Sequence, residues 1–132
     1  MSAALLDQYL SHWRHRPFAW GQADCVRFAA GWVALATGRD PVAGTEGQYG
    51  DVVAAMRLMR RLTGSADLIA ATSAVLGSPL SSPLTAALGD VAAIQTAHGP
   101  ALGLCAGPSV AVVGREGLTS RPITSVLAAW RL

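Results

Sequence analysis

The chain has 132 residues, of which 52% are hydrophobic and 14% are charged, and its formal net charge is +2. This length favours a single domain, residues 1–132, with a hydrophobic core of its own. Typical soluble domains carry roughly 25% charged residues, so a surface this poor in charge suggests that a partner covers part of it. The basic residues are all arginine and mostly scattered along the chain. This distribution argues against nucleic-acid binding.

Several other classes of protein are disfavoured by what the sequence lacks. No apolar run approaches the roughly 18–20 residues of a membrane span. The N-terminus has no basic segment followed by an apolar one, so it does not resemble a signal peptide, and we expect synthesis in a reducing cytoplasm. The two cysteines, Cys25 and Cys105, do not make a disulfide framework. No metal-ligand spacing is present, so we expect neither a metal nor a cofactor.

The first half of the chain is predicted to be helical. Apolar residues at helical spacing, bounded by capping residues and glycines, indicate four helices. They are predicted over residues 2–15, 24–37, 51–64 and 66–76. Ser2, Asp24 and Ser65 are the expected N-caps of the first, second and fourth helices. In the third helix an apolar stripe is expected to face inward and the arginines outward. This stripe consists of Val52, Val53, Met56, Met59 and Leu62.

The second half changes from helical to strand patterning. Gly77–Pro83 is typical of a turn-rich connector, after which short apolar runs alternate with glycine and proline, as in hairpins. Four strands are predicted, over Val91–Gln95, Ala101–Cys105, Val110–Val113 and Leu118–Arg121. The tail from Ser125 to Leu132 is expected to pack back on this sheet. Helices in about residues 1–76 and an antiparallel sheet in about residues 89–132 predict an α+β fold.

Cys25 stands at the start of the second helix, a position that suits a cysteine nucleophile. Trp20-Gly21 would form a turn and Asp24 would cap the helix, so Cys25 lies in its first turn. There the helix dipole and the free N–H groups favour an anion, and the thiolate should form more easily than in free cysteine. The alternative is a structural cysteine, because large aromatic residues share its helix face and free cysteine is among the most buried residue types.

The motifs along the chain resemble those of a known peptidase superfamily. A Trp-Gly-x-x-Asp-Cys turn opens a helix, and about 65 residues later Gly-Asp-Val leads a β-meander. This combination resembles the NlpC-type branch of the papain-like cysteine peptidases, many of which cut peptide bonds in bacterial cell walls. The closer resemblance is to small NlpC-like proteins encoded in the tail-gene clusters of bacteriophages and gene transfer agents. It covers nearly the whole chain and rests on Pro17–Cys25, Thr37–Pro41, Gly47–Tyr49, Gly89–Val91, Ala101–Gly103 and Ala129–Arg131.

By this resemblance, a set of motif residues is expected to determine the fold. It consists of Trp20, Gly21, Asp24, Asp40, Pro41, Gly89, Asp90, Gly103 and Trp130. Among them, Asp24 would cap the helix and Trp20 would anchor the turn before it.

The resemblance also implies where a catalytic base should lie, and the chain departs from the pattern there. An active member carries a histidine in a His-Val-Gly-Ile-like segment, and here Ala101 stands at that histidine position. The next strand, Val110–Val113, offers no polar group to orient a base. A thiol needs such a base to act as a nucleophile at neutral pH. His98 is the remaining candidate, but it lies three residues from Ala101, roughly 10 Å along a strand and on the opposite face. Cys105 is interpreted as a buried structural thiol.

Two functions are implied by the resemblance. The first is a structural or assembly component of a phage tail tip, built on a catalytically degenerate NlpC-like domain. Such a protein would be made in the bacterial cytoplasm, reside in the virion tail and contact a tail hub or distal tail protein in a hetero-oligomeric assembly. The alternative is an active cysteine peptidase or amidase that cleaves peptidoglycan peptides, with Cys25 as nucleophile and His98 as base. A host-encoded wall-binding or toxin-like module is a third hypothesis, disfavoured by the lack of an export signal. The missing histidine favours the first hypothesis, the structural or assembly component.

Overall fold

The computed structural model describes residues 3–132, so the predicted cap Ser2 lies outside the described residues. In this part of the chain, four α-helices precede five β-strands, and the predicted α+β order is confirmed. The helices are α1 (Ala3–Trp13), α2 (Cys25–Thr37), α3 (Val52–Thr63) and α4 (Leu68–Leu76). The strands are β1 (Val91–Thr96), β2 (Gly99–Cys105), β3 (Ser109–Gly114), β4 (Gly117–Pro122) and β5 (Val126–Trp130).

Aspartate side chains begin three of the helices. Asp24, Asp51 and Asp67 are the N-caps of α2, α3 and α4, and each carboxylate accepts a hydrogen bond from a backbone N–H three residues later. The prediction that Ser65 caps the fourth helix is wrong. Its hydroxyl accepts from the backbone N–H of Asp67 in a turn, and the helix begins after Asp67 because the carboxylate there binds the free N–H of Ala70.

The strands form one antiparallel sheet in the order β4-β3-β2-β1-β5. β1 lies between β2 and β5, and Val91 is paired with Leu104 on one side and with Trp130 on the other. The C-terminal tail, which was expected to pack on the sheet, is a strand of that sheet. Its pairing with β1 buries most of β5.

The two faces of the sheet are covered by different parts of the chain. On one face, Leu102 and Leu104 pack with Phe28 and Trp32 of α2. On the other face, a second cluster that includes Ile94 is covered by residues of the connector and of the segment before β5. The covering residues are Leu80, Ala86 and Ile123. α2 therefore lies against β2, and its first residue, Cys25, belongs to the helix-facing side of the sheet.

α3 departs from its predicted packing. Val52, Val53, Met56 and Leu62 are exposed, and Leu58 is the buried residue of this helix. The inward-facing stripe is therefore wrong for most of its members, because no other described element covers that face of α3. Met59 is half-buried.

Candidate functional site around Cys25

The turn before α2 is built around the carboxylate of Asp24. This buried side chain accepts a hydrogen bond at Oδ1 from the backbone N–H of Arg27, at 2.8 Å. Its Oδ2 accepts from the backbone N–H of Gly21 at 2.9 Å and from the hydroxyl of Tyr49 at 2.6 Å. Gly21 has a φ of +78°, and a Cβ at this position would collide with the carbonyl of Tyr49. Glycine and aspartate in the Trp-Gly-x-x-Asp motif therefore shape the turn and fix it to the helix.

The loop that precedes α3 adds contacts that the sequence analysis did not find. The guanidinium of Arg27 donates to the hydroxyl of Thr45 at 2.7 Å, and this hydroxyl is held in the loop. Burial, reinforced by the hydrogen bond to Asp24, raises the pKa of Tyr49 well above its ordinary value. Tyr49 is the last residue of the Gly-x-Tyr motif on which part of the family resemblance rests. That motif was the available signal for its role, but only the fold brings it to Asp24.

Cys25 lies in the first turn of α2 and is partly exposed. Burial of its thiol in apolar surroundings raises the pKa of Cys25 to about 11, and the negative charge of Asp24 acts in the same direction. The backbone N–H groups of Leu102 and of the helix start lower the pKa but are outweighed. The expectation of an easily formed thiolate is therefore wrong. At neutral pH the group is a protonated thiol.

The residue of β2 that faces Cys25 is Leu102. Alternate residues of a strand point to opposite faces of the sheet. Leu102 belongs to the helix-facing core against which Cys25 packs, whereas Ala101 packs with Ile94 in the cluster on the far face. A side chain at position 101 therefore points away from the thiol. Both positions are apolar, so neither supplies a general base.

His98 lies in the turn between β1 and β2 and lines the same cavity as Cys25 and Leu102. The expectation that His98 points to the opposite face from the site is wrong. It was measured from Ala101 along an extended strand, whereas His98 belongs to the turn that precedes β2 and the strand residue at the thiol is Leu102. The backbone N–H of His98 donates to the hydroxyl of Thr96 at 3.1 Å, which fixes the turn. Within residues 3–132, the imidazole makes no hydrogen bond to Cys25 or to a carboxylate that could orient it.

An open cleft of about 540 Å³ extends from Cys25 along α3. Its walls come from α2, α3, α4 and β2, and we call it the apolar cleft. Representative lining residues are Val33, Val52, Met56, Met59, Ala71 and Leu102. Trp20 also lines it and makes an edge-to-face contact with Phe18, with 4.9 Å between the ring centroids. The arrangement offers a large apolar surface and a protonated thiol.

The Gly-Asp-Val motif connects the sheet to α2 and to the end of the chain. The carbonyl of Gly89 accepts a hydrogen bond from the indole N–H of Trp32 at 2.8 Å. Asp90 is buried, and its carboxylate forms an ion pair with the exposed guanidinium of Arg131 at 3.0 Å. Trp130 is fully buried in the helix-facing core. These residues hold the fold together at a distance in sequence from Cys25.

The remaining motif residues also have structural contacts. A Cβ at Gly103 would lie 2.5 Å from the carbonyl oxygen of Ala111, so β2 and β3 pack closely there. Asp40 accepts from a backbone N–H two residues later at 3.0 Å and shapes the loop, while Pro41 lines the apolar cleft. Cys105 is buried and free, which agrees with its interpretation as a structural thiol.

Neither a metal site nor a membrane-spanning helix is found among the described residues. In the described part of the chain, no group of three or more His, Cys, Asp and Glu side chains is placed to hold a metal ion. None of the described helices is long and apolar enough to cross a membrane.

Comparison with known proteins identifies a family without indicating an activity. A search of curated proteins finds no match to the sequence. A family model, described as a domain of unknown function (DUF6950), matches residues 2–132. Because this match covers nearly the whole chain, the protein belongs to the DUF6950 family.

Proposed function

We propose that this protein is a catalytically inactive NlpC-like domain that serves as a structural or assembly component of a bacteriophage tail tip. The observation that carries the loss of catalysis is the environment of Cys25. Its thiol lies against Leu102, and burial raises its pKa to about 11. At neutral pH a thiol with this pKa forms about a hundredfold less thiolate than a cysteine with its ordinary pKa of 9.0.

The NlpC-like assignment is supported by the resemblance and by the order of the elements. The papain-like plan implied by the resemblance has a cysteine at the start of a helix that packs on an antiparallel sheet. Here Cys25 begins α2, and α2 packs on β2. The turn motif is accounted for by the contacts of Gly21 and Asp24, which serve folding whether or not the thiol reacts.

The role in an assembly is supported by the surface. The chain has few charges, and its exposed large apolar residues include Phe18, Trp20 and four residues of α3. Surfaces of this kind mark sites that other proteins cover. The expected partner is a tail hub or distal tail protein. We expect this chain to be synthesised in the bacterial cytoplasm and to remain in the virion tail with that partner.

The pH dependence of alkylation tests the proposal. We expect iodoacetamide to react with Cys25 slowly at neutral pH, with a rate that rises towards pH 11, in a Cys105→Ala background. A separate Cys25→Ala variant, which retains Cys105, measures how fast Cys105 itself reacts. Rapid alkylation at pH 6 that is lost in a His98→Ala variant would contradict the proposal, because it requires a thiolate stabilised by an imidazolium.

An active peptidase or amidase is the second candidate, and one observation favours it. His98 and Cys25 line the same cavity, so movement of the turn between β1 and β2 is the route by which an imidazole would reach the thiol. On this alternative, purified protein releases peptides from peptidoglycan, and Cys25→Ala and His98→Ala each abolish the release. The proposed inactive domain predicts no release by the unaltered protein.

A further inference from the structure

α3 presents an apolar surface that no other described element covers. The exposed fractions are 52% for Val52, 53% for Val53, 44% for Met56 and 55% for Leu62. Val52, Met56 and Leu62 also line the apolar cleft, together with the half-buried Met59. These four residues recur at helical spacing, so they form one ridge along the cleft. Isolated exposed apolar residues are ordinary, but a contiguous ridge beside a cleft indicates a binding surface.

The opposite wall of the cleft has the shape to receive side chains. α2 contributes Ala29, Ala30 and Val33, and α4 contributes Ala71 and Val75. Most of these residues are small, so they leave room between α3 and the body of the protein. The volume of about 540 Å³ lies within the range of roughly 300–1,000 Å³ typical of ligand sites. Methionines in the α3 wall adapt readily to the shape of a partner's side chains.

The open edge of this surface carries positive charge. Arg60 lies four residues after Met56 and so neighbours a residue of the ridge, while Arg57 lies four residues after Val53, an exposed residue of α3 outside the ridge. Both arginines are exposed. The salt bridge found among the described residues joins Arg131 to Asp90, so neither Arg57 nor Arg60 is neutralised by a carboxylate.

The acidic groups nearest this surface lie at the starts of helices. Asp24, Asp51 and Asp67 each accept a backbone hydrogen bond as the N-cap of a helix. Hydrogen bonding leaves these carboxylates negatively charged, and Asp24 and Asp67 line the cleft. α3 itself carries three exposed arginines, Arg57, Arg60 and Arg61, against its cap Asp51, so the α3 side of the cleft offers a partner net positive charge.

We propose that the apolar cleft docks an amphipathic helix of a partner protein, with the apolar face of that helix in the cleft and acidic residues along its flank. A helix suits the site better than an extended peptide. The walls that line the cleft are mainly helices, whose backbone groups are satisfied internally, so they offer no ladder to a strand, whereas ridges of one helix fit between ridges of another. Because α3 has 12 residues, or about 18 Å, the occupant contacts it over about three turns. The inference rests on the proposed function in taking the cleft as a binding site rather than a catalytic one.

A designed peptide pair tests this docking mode. The probe is a labelled amphipathic peptide of about 16 residues with leucine at helical spacing and glutamate on its polar face, and its partner carries lysine instead of glutamate. We expect saturable binding of the acidic peptide by fluorescence anisotropy, at least about tenfold weaker binding of the lysine peptide, and weaker binding of the acidic one at high salt.

Variants of the cleft are paired with matched controls. Met56→Glu should weaken binding of the acidic peptide by about tenfold or more, because it places a carboxylate in the apolar ridge. Leu84→Glu, at an exposed leucine outside the cleft, should leave binding unchanged. Arg57→Glu together with Arg60→Glu should reverse the preference towards the lysine peptide, while Arg115→Glu in the β3–β4 turn should not.

Several outcomes overturn the inference and identify the occupant instead. Equal binding of both peptides, or full binding by Met56→Glu, contradicts helix docking at this cleft. Adsorption to anionic vesicles without peptide binding assigns the surface to a membrane, and a dimer abolished by Met56→Glu assigns it to a second copy. If the acidic peptide does not bind while Cys25 stays unreactive, the docking inference fails and the proposed function stands. If the peptide binds and is cut only when Cys25 is present, the docking stands and the inactive role fails.

Discussion

Replacing Asp24 with alanine tests the idea that the Trp-Gly-x-x-Asp turn is maintained for folding. The carboxylate is 1% exposed and accepts three hydrogen bonds, from the backbone N–H groups of Gly21 and Arg27 and from the hydroxyl of Tyr49. Alanine removes all three acceptors at once. It also leaves donors in a buried site from which water is excluded.

The magnitude follows from these contacts. Loss of an N-cap lowers the free energy of unfolding by about 1 kcal/mol. Each buried donor left without an acceptor lowers it by about 1–3 kcal/mol more, and two such donors, the N–H of Gly21 and the hydroxyl of Tyr49, remain here. We therefore expect a loss of about 3–7 kcal/mol in Asp24→Ala. Small domains are stable by only about 5–15 kcal/mol, so this loss is readily measured.

Urea unfolding followed by circular dichroism measures the loss, with Asp67→Ala as the matched control. Asp67 caps α4 through the same type of bond, to the backbone N–H of Ala70 at 3.1 Å, but it is exposed. Its replacement should lower the free energy of unfolding by about 1 kcal/mol. Tyr49→Phe removes one of the three bonds to Asp24 and should lower it by about 1–2 kcal/mol. If Asp24→Ala lost no more than Asp67→Ala, the buried network would not stabilise the fold and the reasoning would be refuted.

Two further predictions concern the same region and the tyrosines. Gly21→Ala should lower the free energy of unfolding by more than about 2 kcal/mol, because its φ is +78° and the new Cβ meets the carbonyl of Tyr49. Gly38→Ala has the same φ but open space around it, and should lose only about 1 kcal/mol in the same urea experiment. Burial raises the pKa of both Tyr9 and Tyr49. Their stabilising contribution is complete below the unfolded-state pKa of 10.0 and is lost as the pH rises above it. A phenolate absorbance titration should therefore show no reversible step near pH 10 while the protein is folded, and such a step without loss of structure would contradict the assignment.

Local signals predicted the elements better than their ends. Asp24 caps α2 as expected because its carboxylate binds an N–H only three residues away, which is a local interaction. Ser65 and Asp67 are both good caps, and local pattern does not choose between them. The strand Val126–Trp130 was missed because all five of its residues are apolar, so its sequence lacks the apolar–polar alternation of a half-exposed strand.

The errors about the site arise from tertiary contacts. The exposed ridge of α3 has the periodicity of a core-facing helix, and periodicity alone does not reveal whether another element covers the stripe. Cys25 occupies a helix start, which lowers the pKa of a thiol, but burial against β2 raises the pKa by a larger amount. The face of Ala101 depends on the strand register, and a shift of one residue moves every side chain to the other face. A resemblance between motifs places a residue along a strand, and only the register shows which face of the sheet its side chain is on.

The register leads to a prediction that separates the two candidate positions for a base. Leu102→His places an imidazole beside Cys25, and an imidazolium within a few ångströms should lower the pKa of the thiol by about 1–3 units. The alkylation profile in a Cys105→Ala background should then shift to lower pH by that amount. Ala101→His is the control, since its side chain lies on the far face and should leave the profile unchanged. Because Leu102 is buried, circular dichroism must first show that the variant is folded.

A shift in Ala101→His without one in Leu102→His would refute the assigned faces of β2. The opposite result would mean that the scaffold still holds its cysteine where a single side chain restores an ion pair. The turn that positions Cys25 depends on Gly21, Asp24 and Tyr49, and none of these contacts involves the thiol. A β2 strand without a base therefore leaves these contacts of the turn intact. The turn needs Gly21 and Asp24 whether or not the thiol reacts, so a Trp-Gly-x-x-Asp-Cys sequence by itself carries little information about catalysis.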